Sequence, residues 1–508
     1  MKQILRALIF LVAIFGSVRG NSSSDLPRST PEAEGIDSAG VLALVDALGT
    51  NIKEVHSLML VRHGRVVAEG WWAPYAPQDV HIMYSATKSF TSTAVGFAVQ
   101  EGLLSVNDLV LARFPDLAPV KPSAEMKNMR IRDLLTMTTG HQTDTIDMLR
   151  AREDGAWTRA FLETEVEHRP GIHFLYNSGA SYMLAAIVQR VAGMTVEAYL
   201  QPRLFAPLGI EQHPWGMSPE GVDLGDGGLS VKTEDLAKLG QLYLQKGMWQ
   251  GRRLLSEQWV EAATSRQTSS GSDPGDNWGA GYGYQFWRNK TTGYRADGAF
   301  GQYSFVLPEQ DVVLAVTSGT DDKQGVMNIV WEHLLPAIQA GALPANPAAR
   351  EKLTRQLAAL ALRGPTGVFH SVTETKVAGK TYALGENALG LKSAAVKFSA
   401  GNPVLVFNDA DGTHAIACGL GEWVRGRTDF QRRISMLFDR PDQGIAASGA
   451  WSGENTFVAK LCFDETPYTI TATFKFAGEQ LFLDLKQNVS WGPTKLPQIV
   501  GKAEATHP

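Results

Sequence analysis

Apolar and polar residues alternate near both ends of the first 340 residues, whereas helical spacing dominates between them. Residues 57–72 contain two β-rich runs around His63-Gly64, which predicts a hairpin, and residues 300–317 supply further strands. Apolar positions three and four residues apart predict helices at 85–100, 131–137, 178–191, 196–204, 233–246 and 258–263. We therefore expect an α+β domain over residues 33–340, in which distant strands form an antiparallel sheet flanked by helices, with a helical insertion on one side.

The pattern changes after residue 340. Residues 341–364 begin with Pro344 and Pro347 and continue as a short amphipathic helix, which indicates a linker helix. Residues 365–508 then alternate, with the clearest runs at 456–463, 469–476 and 481–485. This part is predicted to be a small C-terminal all-β domain, either an antiparallel sheet or a barrel.

The first twenty residues have the features of a signal peptide. Lys2 and Arg6 precede an apolar run over 7–15, and small residues follow at the spacing of a cleavage site. An uncleaved anchor is the alternative, although the run is shorter than the roughly 20 residues that a membrane span needs. Residues 21–32 are polar and predict a flexible lead-in. We therefore expect an exported protein, periplasmic or extracellular, without a membrane span after signal cleavage.

Composition and net charge limit the classes of partner that the protein is expected to bind. The 508 residues are 44% hydrophobic and 19% charged, which is typical of globular domains, and 47 Lys+Arg against 52 Asp+Glu give a net charge of -5. No basic cluster stands out, so a nucleic-acid partner is not predicted. The two cysteines, Cys418 and Cys462, could form one disulfide in an oxidising compartment or remain as two free core thiols.

The motifs favour a serine nucleophile over metal chemistry. Metal-ligand spacings and phosphate-binding glycine loops are absent from the sequence, so no metal or other cofactor is predicted. Ser85 falls where an extended segment meets a helix, and Lys88 lies one turn further on the same face. A serine hydroxyl needs a base to become a nucleophile, and Lys88 or Tyr176 could supply one. A helix N-cap for Ser85 and a packed aromatic for Tyr176 are the alternatives.

Three further segments, at 131–140, 207–210 and 227–237, complete a resemblance over residues 30–340. The sequence resembles the serine hydrolases with the penicillin-recognising fold, a family that includes class C β-lactamases, D-alanyl-D-alanine carboxypeptidases, family VIII esterases and 6-aminohexanoate-oligomer hydrolases. The resemblance implies that Ser85 is the acylated nucleophile, Lys88 its proton-handling partner and Tyr176 a base that returns a proton to the leaving group. It also implies an oxyanion hole from the main-chain N–H groups of Ser85 and Ala299.

Substrate-binding residues implied by the resemblance are Ser178, Asp297 and Gly298. The family's usual cation on this late strand is replaced by Ala296, and Arg295 should point to the other face of the strand. Substrates with a carboxylate, such as penicillins, are therefore expected to be poor, unless the insertion contributes a cation. Ser178 in place of the family's usual asparagine is closer to the aminohexanoate-oligomer hydrolases.

The predicted function is a secreted serine hydrolase of small esters or amides that works through a covalent acyl-enzyme. A D-Ala-D-Ala carboxypeptidase or β-lactamase with the same residues is one alternative. A non-catalytic penicillin-binding or receptor protein is the other. The sequence does not indicate the oligomeric state.

Overall fold

The structure is a computed structural model that describes residues 25–271, 273, 276–398, 401–430 and 442–504. The predicted signal peptide lies outside the described residues. Of the predicted lead-in, the part from residue 25 onward lies against the N-terminal domain, where Leu26 is buried and its amide donates to Glu234. No single helix in the described ranges is long and apolar enough to cross a bilayer.

Strands of the N-terminal domain come from both of its ends, as predicted. They are β1 (Val55–Arg62), β2 (Arg65–Trp71), β3 (His81–Ile82), β4 (Ser230–Val231), β5 (Met248–Trp249), β6 (Arg252–Arg253), β7 (Trp287–Arg288), β8 (Tyr294–Gly298), β9 (Gln302–Leu307) and β10 (Val312–Ser318). Among the described residues, six of these strands form an antiparallel sheet in the order β2-β1-β10-β9-β8-β7. The predicted hairpin is confirmed: His63 and Gly64 both have positive φ, 49° and 71°, as a tight two-residue turn requires.

Helices surround this sheet. They are α1 (Ser38–Asn51), α2 (Thr87–Gln100), α3 (Ala124–Asn128), α4 (Ile131–Leu135), α5 (Ile146–Arg150), α6 (Trp157–Glu163), α7 (Ser178–Ala192), α8 (Val196–Leu200), α9 (Ala206–Leu208), α10 (Thr233–Leu244), α11 (Glu257–Thr264), α12 (Lys323–Ile329), α13 (Leu335–Ala337), α14 (Pro347–Ala358) and α15 (Thr373–Val377). Every predicted helical segment contains one of them. The helix predicted at 196–204 is shared between α8 and a π-helical turn, Gln201–Phe205.

The central strands are buried on both faces, and their alternation divides the interior into two cores. On β1, Met59 and Val61 pack with helices α2 and α10 in one core, whereas Leu58 and Leu60 pack with α1 and α12 in the other. Side chains alternate across a strand, so one continuous apolar run serves both layers. The predicted α+β architecture is confirmed, and helix α2 is buried from Thr87 to Ala98.

The C-terminal domain is all β, as predicted. Its strands are β11 (Tyr382–Leu384), β12 (Ser393–Lys397), β13 (Val404–Asn408), β14 (Thr413–Ala417), β15 (Gly419–Leu420), β16 (Val424–Thr428), β17 (Gln443–Gly453), β18 (Thr456–Cys462), β19 (Thr469–Ala477), β20 (Gln480–Gln487) and β21 (Ile499–Ala503). Over the described residues they form one sheet in the order β14-β13-β12-β11-β21-β20-β19-β18-β17-β15, with β16 also paired to β17. A hydrogen bond from His414 on β14 to Asp429, just after β16, joins the two ends of the sheet.

Buried polar contacts fix the C-terminal domain on the N-terminal domain. Glu54, directly before β1, accepts hydrogen bonds from Asn488 at 2.7 Å and Thr469 at 2.9 Å and pairs with Lys460 at 2.8 Å. The predicted linker carries α14, which packs against α1 and β2 and buries Leu353. The two domains therefore share an interface that contains a satisfied buried carboxylate.

Of the two alternatives for Cys418 and Cys462, the structure has the two free core thiols and not the disulfide. Cys462 lies on β18 opposite Ala446 of β17, whereas Cys418 directly precedes β15, which pairs with the other edge of β17. A whole strand therefore lies between them. Two strand spacings amount to about 10 Å, beyond the roughly 7 Å between Cα atoms that a disulfide can bridge.

Candidate active site

Ser85 and Lys88 lie at the buried start of α2. Ser85 is in a 3-10 turn, Tyr84–Ala86, and its side chain is half-buried and therefore accessible. Lys88 is in the first turn of the helix and is 1% exposed. Its Nζ lies 3.3 Å from Ser85 Oγ, 3.4 Å from Ser178 Oγ and 2.7 Å from the main-chain oxygen of Asp226.

Burial changes the proton affinity of this lysine. Desolvation lowers the pKa of Lys88 from its ordinary 10.5 to about 8, although the carboxylates of Asp226 and Asp144 act in the opposite direction. An uncharged amine has two N–H groups and one lone pair. With the N–H groups directed to the Asp226 carbonyl and the Ser178 hydroxyl, the lone pair faces Ser85 Oγ. The geometry therefore suits removal of a proton from Ser85 by the uncharged form of Lys88, whose fraction grows as the pH rises through about 8.

Tyr176 completes the cluster, and burial governs its ionisation. Its ring stacks on Trp287 at 5.4 Å between centroids, and Lys88 Nζ lies 5.1 Å from the centre of the same ring. Burial raises the pKa of Tyr176 well above its usual value near 10, and the hydrogen bond with Ser85 opposes this only in part. The phenol is therefore protonated at neutral pH, which suits the predicted return of a proton to the leaving group, and the role of Tyr176 as a base stays a prediction.

Ser178 begins helix α7 beside this cluster. Its main-chain N–H donates to Asp144 Oδ1 at 2.8 Å, and its hydroxyl faces Lys88. The preceding Asn177 is fully buried, and its side-chain oxygen accepts two hydrogen bonds from Thr145. Ser178 therefore lies at the site. Asn177 holds the segment before α5 against the start of α7.

The end of strand β8 lies against the turn that carries Ser85. At Gly298, a Cβ atom would lie 2.2 Å from the main-chain oxygen of Met83, so only glycine permits this approach. Ala299 follows, half-buried, and the chain then turns through Phe300 and Gly301, which have positive φ. The predicted oxyanion donors, the N–H groups of Ser85 and Ala299, are therefore on adjoining segments beside the end of β8.

The Asp297 carboxylate is held by neighbouring side chains. Its carboxylate is buried and accepts hydrogen bonds from Arg295 Nε and Trp278 Nε1, each at 3.0 Å, and pairs with Lys323 at 2.6 Å. Burial alone would raise the pKa of Asp297, but these two cations lower it below its ordinary value. Arg295 and Asp297 are two residues apart on the strand and share one face, opposite to that of Ala296. A role of Asp297 in substrate binding stays a prediction.

Two residues near Lys88 were missed in the sequence. Asp226 binds Lys88 through its main-chain oxygen, a group that no side-chain motif could reveal. Arg150, at the end of α5, donates to the Asp226 carboxylate at 3.1 Å. Arg150 belongs to the insertion. It is therefore a cation of the kind that could replace the one missing at Ala296. Because Arg150 is paired with Asp226, it is not a free partner for a substrate carboxylate in this structure.

A half-buried serine beside a buried lysine, at the start of a helix that packs on an antiparallel sheet, defines the class of serine hydrolases with a Ser-x-x-Lys nucleophile. Residues 54–339 match the family described as Beta-lactamase, which is more than half of the chain. The protein therefore belongs to the beta-lactamase family and is a serine hydrolase, as the resemblance implied.

The individual proteins that this chain resembles are each less than 30% identical to it over the aligned residues. The chain is 29% identical over 307 residues to the 6-aminohexanoate-dimer hydrolase of Paenarthrobacter ureafaciens, covering 55% of this chain and 78% of that protein. It is 27% identical over 167 residues to Protein flp of Staphylococcus aureus (strain COL), covering 30% of this chain and 33% of that protein. The octameric penicillin-binding protein homologue from Pyrococcus abyssi superposes with a TM-score of 0.46 at 18% identity, covering 91% of this chain and 98% of that chain.

Proposed function

We propose that the protein hydrolyses small neutral esters or amides through an acyl-enzyme on Ser85. The observation that carries the proposal is the position of Lys88, whose Nζ is 3.3 Å from Ser85 Oγ and whose pKa burial lowers to about 8. We also propose, from the charged and apolar segments of residues 1–20, that the chain is exported.

The proposed acylation begins with proton transfer from Ser85 Oγ to uncharged Lys88 while Oγ attacks the substrate carbonyl. The carbonyl oxygen becomes an oxyanion, which the N–H groups of Ser85 and Ala299 would stabilise. As the bond to the leaving group breaks, that group takes a proton from Tyr176, and the Lys88 ammonium returns a proton to Tyr176. A water molecule then attacks the acyl-enzyme, with Lys88 again the base, and releases the acid and the free serine.

The charges around the site support neutral substrates. Ala296 is 1% exposed and supplies no cation, and Arg295 is fully buried on the opposite face of β8. Arg150 is engaged by Asp226. A substrate carboxylate would therefore lose water without gaining a free positive partner. The name of the relative from Paenarthrobacter ureafaciens supports an amide as the bond that is cleaved and does not bear on the charge of the substrate.

The test is the initial rate of p-nitrophenyl butyrate hydrolysis by the wild type and the Ser85→Ala variant. Loss of the nucleophile is expected to lower kcat by a factor of about a thousand or more. Ser92→Ala is the matched control, since Ser92 is also on α2 and donates to the Tyr284 carbonyl, away from the Ser85 cluster. Equal rates for a folded Ser85→Ala protein and the wild type would refute the proposal.

A further inference from the structure

The two residues that adjoin the proposed oxyanion donors have an unusual backbone. Tyr84, directly before Ser85, has φ 45°, and Phe300, directly after Ala299, has φ 59°. Bulky residues rarely adopt positive φ, and such conformations are strained. They persist only where surrounding contacts hold them. The contacts around these two side chains therefore decide how well the two donors are oriented.

Those contacts come from the C-terminal domain. The Tyr84 and Phe300 rings meet edge to face at 5.6 Å, and both are buried in the apolar core of the C-terminal domain. Tyr84 donates a hydrogen bond to the hydroxyl of Tyr468 at 2.8 Å. The Phe300 ring lies 5.8 Å from that of Tyr468 and 5.0 Å from that of Trp491. We call Tyr84, Phe300, Tyr468 and Trp491 the aromatic clamp.

The segment that carries Trp491 is fixed at its base. Asn488 donates to Glu54, to the carbonyl of Gly319 and to the carbonyl of Pro467, and Val489 is fully buried. Trp491 itself is 71% exposed, yet its ring lies 6.2 Å from that of Tyr84. The anchored segment thus keeps the Trp491 indole at the surface. There the indole lies against Tyr84 and Phe300, which flank the two oxyanion donors.

We propose that the C-terminal domain positions the oxyanion hole through the aromatic clamp. The inference rests on the proposed acyl-enzyme function and adds Tyr468 and Trp491 as positioning residues that act through Tyr84 and Phe300. Oxyanion donors work only when they lie about 2.7–3.1 Å from the developing charge, and a displacement of about 1 Å can lower a rate by about 100-fold. The C-terminal domain is then a part of the catalytic unit.

The experiment compares two variants of the full chain, Trp491→Ala and Tyr468→Phe, with the wild type. The first removes an exposed ring and the second removes one hydroxyl, so both should fold. We expect kcat for p-nitrophenyl butyrate to fall by about 10-fold or more in each variant while KM stays within about twofold. The inhibition constant of butylboronic acid should rise by the same factor as kcat falls, because its boronate oxygen occupies the oxyanion position.

Phe369→Ala is the matched control, since Phe369 is a 51% exposed ring of the same domain that lies against Gly421 and outside the clamp. Its kinetics should equal those of the wild type. Unchanged kcat in folded Trp491→Ala and Tyr468→Phe would overturn the proposal, and so would a higher KM at constant kcat, which would indicate a substrate-contact role. Failure of the proposed function is distinguishable, because the wild type itself would then show neither turnover nor fluorophosphonate labelling at Ser85.

Discussion

Replacing Lys88 by methionine should make the protein inactive and change how its stability depends on pH. Methionine has a similar length and no charge, so the pocket stays filled. Because burial lowers the pKa of Lys88 to about 8 in the folded state, the folded protein releases this proton before the unfolded chain, whose lysine titrates near 10.5. Between these pH values the unfolded state binds one more proton, so the free energy of unfolding of the wild type rises with pH.

The slope is about 1.4 kcal/mol per pH unit, so the buried charge lowers the stability at pH 7 by about 3 kcal/mol relative to pH 10.5. The variant has no such group. The variant also loses the hydrogen bond from Lys88 to the Asp226 carbonyl. Below pH 8 and above pH 10.5, Lys88 has the same protonation state in the folded and the unfolded chain. In those ranges the lost hydrogen bond adds only a constant to the difference in the free energy of unfolding between the two proteins.

The assay is urea unfolding of both proteins at pH values from 7 to 10, followed by tryptophan fluorescence. The difference in the free energy of unfolding, wild type minus Lys88→Met, should increase steadily above pH 8. A difference that is constant over this range would refute the reasoning, since it would show that Lys88 has an ordinary pKa in the folded protein. Other groups that titrate in the same range are common to both proteins and cancel in the comparison.

Three other results follow from the structure. Gly298→Ala would bring a Cβ within 2.2 Å of the Met83 carbonyl and should lower activity by about 100-fold. Gly426→Ala, whose Cβ meets open space, should leave activity unchanged. Equal activity of the two variants would contradict the prediction. Titration of unfolded, unreduced protein should give two free thiols, from Cys418 and Cys462. A titration that gives no free thiol would show that the two cysteines form a disulfide. Benzylpenicillin should be hydrolysed far more slowly than p-nitrophenyl butyrate, and comparable rates would disprove the argument from charge.

The sequence predicted the fold well where local pattern decides structure. The hairpin at His63-Gly64 and the helices over α2 and α10 follow from apolar periodicity and turn residues, which act within a few positions of the chain. The motif at Ser85 and Lys88 is likewise local, because a helix of 3.6 residues per turn brings both side chains to one face. The approach of Tyr176 and Ser178 to these residues came only from the family resemblance.

Properties that depend on distant parts of the chain were harder to predict. The ionisation of Tyr176 depends on burial and on carboxylates from other segments, and its pKa is raised where a base would need it lowered. Asp297 pairs with Arg295 on one face of β8, a contact that strand alternation allows but that no motif reveals. The contact of Tyr468 and Trp491 with the turn before Ser85 joins residues about 400 positions apart and has no local signal.

The central claim is that buried Lys88, in its uncharged form, activates Ser85. Its most direct test is the rate of covalent labelling of Ser85 by a neutral fluorophosphonate as a function of pH, followed by intact mass. Because the amine must be deprotonated to accept the serine proton, the rate should rise with pH through a single ionisation near pH 8 and level off above it. A rate that is independent of pH between 6 and 10, or that rises only above pH 10, would contradict the claim.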